Sequence, residues 1–194
     1  MNETQAKDVL HGYLRAGREA LLWKLDGLDE YEARRPLTQT GTNLLGLVKH
    51  VAGVTSEYFG LVFDRPFPEA LPWLAEGAED NADMWATAQE TREAIIGIYN
   101  RAWEHADATI AALGLDAAGR VPWWPEERAT VTLHQILVHM TAELHRHAGH
   151  ADILREEIDG SAGRADGRSN LPEHDAAWWR AYRARVESAA AEAR

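Results

Sequence analysis

Apolar residues recur at three- and four-residue intervals along most of the chain, and alternating strand-like runs are scarce. The pattern predicts a helix from about Thr4 to Leu25, capped by Thr4, with Val9, Leu10, Tyr13, Leu14, Leu21, Leu22 and Leu25 as its buried stripe and Gly27 and Asp29 at its end. Asp29–Arg34 reads as a single helical turn stopped by Pro36. A second long helix starts at Thr42 or Asn43 and runs to about Phe63, presenting Leu44, Leu47, Val48, Val51, Val54, Tyr58, Leu61 and Val62 on one face. Asp64-Arg65-Pro66, Pro68 and Pro72 break it.

Residues 64–86 form a long connection carrying acids, prolines, Trp73 and Trp85. A connection of that length either serves function or wraps the domain. A third helix is predicted over about Thr87–Leu113, with Ile95, Tyr99, Ala102, Trp103, Ala106 and Ile110 in its stripe and Gly114 at its close. Val121-Pro122-Trp123-Trp124-Pro125 reads as a rigid aromatic loop, and a fourth helix spans about Thr130–Asp159, stopped by Gly160. The Gly-, Ser- and Arg-rich stretch 161–170 is expected to be mobile, and a last amphipathic helix covers about Glu173–Ala193 with Trp178, Trp179 and Tyr182. Long helices joined by one long crossover predict an all-α protein. The expected architecture is one four-helix bundle over residues 1–160, with a linker and an additional C-terminal helix, residues 161–194, packed on or near it.

Composition narrows the partners. The chain has no cysteine, so disulfides and thiolate ligands are out, and any metal must use His, Asp, Glu, carbonyl or water. Its 194 residues can bury a core without such staples. A net charge of −11 with no concentrated run of Lys and Arg argues against a nucleic-acid partner. No apolar run approaches the roughly 18–20 residues of a membrane span, and Met1-Asn2-Glu3-Thr4 has neither the basic nor the apolar part of a signal peptide. The expectation is a cytoplasmic protein without membrane or nucleic-acid partners. Three lysines against seventeen arginines, with abundant alanine, point to a GC-rich genome.

The fourth helix holds most of the chemistry: His134, His139, Glu143, His145, His147 and His150. At about 100° per residue, His147 projects into the middle of the face made by Leu133, Ile136, Leu137, Met140, Leu144, Ala151, Leu154 and Ile158. Glu143 lies within that face nearer an edge, His139 and His150 flank it, and His134 and His145 point away. A carboxylate directed at an apolar core must be protonated, paired or bound to a cation. A histidine four residues on is within chelating reach. A third ligand is needed, and His50, at the edge of the second helix's apolar face, is the candidate. Glu57, two turns further along that helix, is a nearby acid or fourth ligand. The competing reading for Glu143 and His147 is an ordinary buried ion pair with an arginine. Trp123 and Trp124 are read as packing residues or as the lining of a pocket.

The segment from His139 through Glu143, His147, Gly149, His150 and Asp152 to Arg155 resembles the last core helix of DinB-like proteins, in particular a largely actinobacterial branch. Trp123-Trp124-Pro125 and the His50 helix fit the same pattern, and the resemblance covers roughly residues 5–160. It implies a four-helix bundle with a divalent metal held by one residue of the second long helix and two of the fourth. Those positions are His50, Glu143 and His147. Glu at the first of the two fourth-helix positions resembles the mycothiol-dependent maleylpyruvate isomerase branch, although that isomerase's separate C-terminal domain is missing and His150 stands where Gln is usual. By resemblance, the metal, zinc first with nickel or iron as alternatives, activates a low-molecular-weight thiol of the mycothiol type for transfer to an electrophile. The GC-rich bias favours mycothiol over bacillithiol. Glu57, Tyr58 and His150 are expected beside the ligands, and a homodimer is the expected assembly. The alternatives are a non-catalytic metal- or ligand-binding bundle and a metal-dependent hydrolase.

Overall fold

The computed structural model describes residues 2–169 and 171–194, so Met1 and Asn170, the last residue of the Gly- and Ser-rich stretch, lie outside the described residues. Among the described residues are seven α-helices: α1 (Glu3–Trp23), α2 (Glu30–Arg34), α3 (Leu44–Phe59), α4 (Arg92–Ala112), α5 (Glu126–Ala129), α6 (Leu133–Asp159) and α7 (Ala176–Glu192). Short strands β1 (Ala118–Arg120) and β2 (Thr130–Thr132) pair antiparallel, with Gly119 opposite Val131. None of the described helices is long and apolar enough to cross a membrane.

Side-chain caps set most helix starts. Asn43 accepts from the Gly46 N–H at the head of α3, and Thr132 accepts from the Gln135 N–H at the head of α6. Among the expected boundaries that move, three have a local cause, while α1 also ends two residues early at Trp23 and α7 starts three residues late at Ala176. α1 begins one residue earlier than expected because Asn2, not Thr4, is the cap, and Asn2 and Gln5 bond each other's backbone N–H reciprocally. α3 ends at Phe59, because the chain turns at Gly60 and Leu61–Phe63 tightens into a 3-10 turn. α4 begins at Arg92, capped by Thr91 rather than starting at Thr87. A fourth difference is one of type: Thr130-Val131-Thr132 is strand, and the helix it was expected to open starts only at Leu133. Two β-branched threonines and a valine suit that pairing with β1.

The bundle consists of α1, α3, α4 and α6. α6 runs parallel to α1, since His145 meets the Tyr13 carbonyl at one level and Arg155 donates to the Lys24 carbonyl further along. α3 runs antiparallel to α6, with His50 beside Glu143 and Tyr58 beside His139. α3 is parallel to α4: Lys49 pairs with Glu90 at the head of α4, and Phe59 packs on Trp103. Parallel neighbours force the chain to return the full length of a helix, about 24 Å for sixteen residues. Residues 60–91 make that return, which is why the connection is so long.

Between the helices the core is largely aliphatic: Leu14, Leu21, Leu45, Leu47, Val48, Ile95, Ile110, Leu133, Ile136 and Leu137 are all fully buried or nearly so, with Phe59, Tyr99 and Trp103 among them. Two expected core residues of α1 are outside it: Val9 is 48% exposed and Tyr13 is 60% exposed. The inward line of α1 passes through Leu14, Gly17, Ala20 and Leu21 instead. α7 buries none of its residues; His174, Trp178 and Tyr182 stack along it.

Candidate metal centre

On α6, Glu143 and His147 stand one turn apart, and the His147 ring nitrogen Nε2 lies 2.9 Å from Glu143 Oε1. The facing helix brings His50 Nε2 to 3.7 Å from the same oxygen. The two imidazoles meet edge to face with centroids 4.7 Å apart. One donor atom from each of the three residues can be chosen so that all lie within 4.8 Å of one another, an arrangement that could hold a metal ion. The side chains are 17% (His50), 26% (Glu143) and 10% (His147) exposed, so the cluster is partly buried and most open to solvent at Glu143. No arginine pairs with Glu143 among the described residues, so the ordinary ion pair weighed against a metal role is not present.

A fourth residue completes the arrangement, and it comes from the crossover. Asp83 Oδ2 lies 2.5 Å from His50 Nδ1. The loop around it is seated on α3 at several points. Asn43 Nδ2 donates to the Met84 carbonyl at 3.1 Å. Lys49, 2% exposed, donates to the carbonyls of Ala82 at 2.7 Å and Trp85 at 2.9 Å, pairs with Glu90 and lies against the Trp73 ring. Gly46 permits this approach: a Cβ there would fall 1.8 Å from the Met84 carbonyl oxygen.

The electrostatics suit cation binding. Burial works to raise the Glu143 carboxyl, but the His147 hydrogen bond and the nearby imidazoles outweigh it and hold the group below the ordinary carboxylate range. Burial, and then the neighbouring His50, push His147 below an ordinary histidine against the opposing pull of Glu143. For Glu143 and His147 these directions favour the ionised carboxylate and the neutral imidazole that metal ligation requires. His50 Nδ1 faces Asp83, and its Nε2 faces the Glu143 carboxylate at 3.7 Å. Tetrahedral bonds of about 2.1 Å span ligand pairs about 3.4 Å apart, between the 2.9 Å and 3.7 Å separations that Glu143 Oε1 makes with the two imidazoles. His147 Nδ1 is buried with no hydrogen-bond partner among the described residues.

The remaining candidates are spread around this centre. Glu57 is half-buried on the His50 side, where burial and the negative charge of Asp83 raise its carboxyl above the ordinary value. His150 is exposed, its ring 5.4 Å from that of His147. Tyr58 belongs to a neighbouring aromatic group: its oxygen accepts from the Trp124 and Trp123 indoles at 3.2 Å and 3.4 Å, and its ring lies 4.8 Å from His139. His139 is one turn from Glu143, about 6 Å along the helix, so this aromatic group adjoins the triad where α3 faces α6. His134 and His145 are both exposed, but the His145 ring reaches α1, with Nε2 3.1 Å from the Tyr13 carbonyl oxygen.

Comparison with known proteins adds the family. A family model described as mycothiol-S-transferase matches residues 9–160, from within α1 through the end of α6. The chain belongs to that family. Its bundle is of the DinB-like type, and the matched stretch contains His50, Asp83, Glu143 and His147, together with the Trp123–Trp124 loop. No curated protein matches the chain. α7 lies beyond the part that the mycothiol-S-transferase match covers.

Proposed function

We propose that His50, Glu143 and His147 together hold one divalent cation, and that the protein uses it to transfer a low-molecular-weight thiol of the mycothiol type to an electrophile. The observation that carries this reading is the convergence of one carboxylate and two imidazoles from two helices in a partly buried cluster, within a chain of the mycothiol-S-transferase family. Zinc is the favoured ion, and nickel or iron would suit the same nitrogen and oxygen donors. Three protein ligands leave a position open for substrate. When bound, such an ion supplies the Lewis acidity that stabilises a thiolate at neutral pH.

The chain's own groups do the rest. The exposed edge at Glu143 gives the thiol its entry. Glu57, with its raised carboxyl, and the exposed His150 are the groups proposed to take up the thiol proton and pass it to solvent. The thiolate sulfur then forms a bond to the electrophilic carbon, and the leaving group departs with its bonding pair. The Tyr58–Trp123–Trp124–His139 group is proposed to orient the electrophile beside the thiol. A homodimer is proposed as the assembly.

The test is conjugation of mycothiol to monochlorobimane by untagged protein, with zinc and after chelation. Conjugation that needs the metal and is lost in Glu143→Gln is expected. No metal-dependent conjugation with mycothiol, bacillithiol or other small thiols would overturn the reading. One observation favours a second reading. The 2.9 Å His147–Glu143 contact already satisfies part of the cluster without an ion, as a non-catalytic bundle would require, and that reading predicts protein that folds and persists with no bound metal.

A further inference from the structure

The sequence offers no periodic signal for Asp83, yet the fold delivers it to the outer nitrogen of His50. We propose that Asp83 is a positioning residue: it holds the His50 proton on Nδ1, so that Nε2 is left as a lone-pair donor facing Glu143 and His147. The inference rests on the metal-site reading above and goes beyond it, because it assigns a role to a residue outside the triad and to the loop that carries it.

Three observations support it. The Asp83 Oδ2 to His50 Nδ1 separation is 2.5 Å, the shortest polar contact His50 makes, against 3.7 Å from His50 Nε2 to Glu143. A carboxylate on one ring nitrogen fixes both the tautomer and the ring plane, leaving the other nitrogen to the ion. The flanking backbone is anchored on both sides, by Lys49 on Ala82 and Trp85 and by Asn43 on Met84. Asp83 therefore approaches from a fixed platform rather than from a free loop. His50 Nδ1 has only Asp83 as partner among the described residues. A solvent-exposed ion pair would need none of this anchoring.

The experiment uses the full-length protein, as wild type, Asp83→Asn and Asp83→Glu. Zinc affinity is read by competition with a chromophoric chelator, and the His50 tautomer by long-range proton–nitrogen NMR on the metal-free protein labelled at histidine nitrogen. The wild type is expected to carry the His50 proton on Nδ1. Asp83→Asn can donate its amide to that nitrogen, so the proton is expected to move to Nε2 and zinc to bind roughly 10- to 100-fold more weakly. Asp83→Glu keeps the carboxylate and is expected to restore the tautomer and part of the affinity. A wild-type proton on Nε2, or Asp83→Asn binding zinc as tightly as wild type, overturns the inference alone. A wild type that binds no zinc overturns the metal reading and this inference with it.

Discussion

Gly46→Ala tests the seating of the crossover, because two effects of opposite sign compete at that position. In an unobstructed helix interior, replacing Gly by Ala stabilises by about 1 kcal/mol. At Gly46 the new methyl would lie 1.8 Å from the Met84 carbonyl oxygen and 2.5 Å from its carbon. A carbon–oxygen contact needs about 3.3 Å, so the loop must retreat by about 1.5 Å. Overpacking of that kind costs about 1–3 kcal/mol. The Asn43–Met84 hydrogen bond goes with it, at about 0.5–1.5 kcal/mol. The net expectation is a loss near 2 kcal/mol, or roughly 4–8 °C in Tm for a chain of this length. Gly12→Ala is the matched control, since a Cβ there meets nothing within 4 Å, and it should stabilise by about 0.5–1 kcal/mol. Both are read by urea and thermal unfolding followed by circular dichroism. Because Asp83 precedes Met84, Gly46→Ala should also weaken zinc binding, whereas Gly12→Ala should not. A Gly46→Ala protein as stable as wild type, beside a normal Gly12→Ala, would refute the docking.

Other expectations follow from the same geometry. Lys49→Met leaves the carbonyls of Ala82 and Trp85 and the Glu90 carboxylate without their cation. With Glu90 partly exposed, a loss of about 2–3 kcal/mol is expected, and Lys49→Met with Glu90→Gln should lose less than the two singles summed. Glu143→Gln and His147→Gln should each fold with little change in circular dichroism and should each abolish stoichiometric zinc binding in equilibrium dialysis. The Arg155 hydrogen bond holds the Asp159 carboxyl at about 2, below the ordinary 3.8. The unfolded chain therefore binds more protons between those values, so this stabilisation is complete above the ordinary value and is lost as pH falls through about 2. The stability gap between wild type and Asp159→Asn should accordingly be level near neutrality and close between about pH 4 and pH 2 in acid unfolding.

How much of this was legible in the sequence differs from element to element. The face of α6 was, because eight apolar residues recur there at helical spacing and project with His147 among them, of which only Ile158 is half-buried rather than buried. The structure buries Leu133, Ile136, Leu137, Met140, Leu144, Ala151, Leu154 and His147. His50 could be named only as an edge residue; its approach to Glu143 depends on how α3 packs against α6. Asp83 was not legible, because it lies on an irregular connection whose course is fixed by tertiary contacts, and Gly46 signals a close approach only once the Met84 carbonyl is in place. The β-branched signal of Thr130-Val131-Thr132 was present but merged with the helical periodicity that follows it. Asn2 was missed as a cap because the apolar stripe that marks α1 begins several residues later.

The central claim is tested most directly by X-ray diffraction from untagged, zinc-loaded crystals, with anomalous data collected on either side of the zinc edge. The account predicts one strong anomalous peak between His50 Nε2, Glu143 and His147, with about 2.0–2.2 Å to each donor and Asp83 still bonded to His50 Nδ1. A peak elsewhere, or none while His147 remains bonded to Glu143, would contradict it.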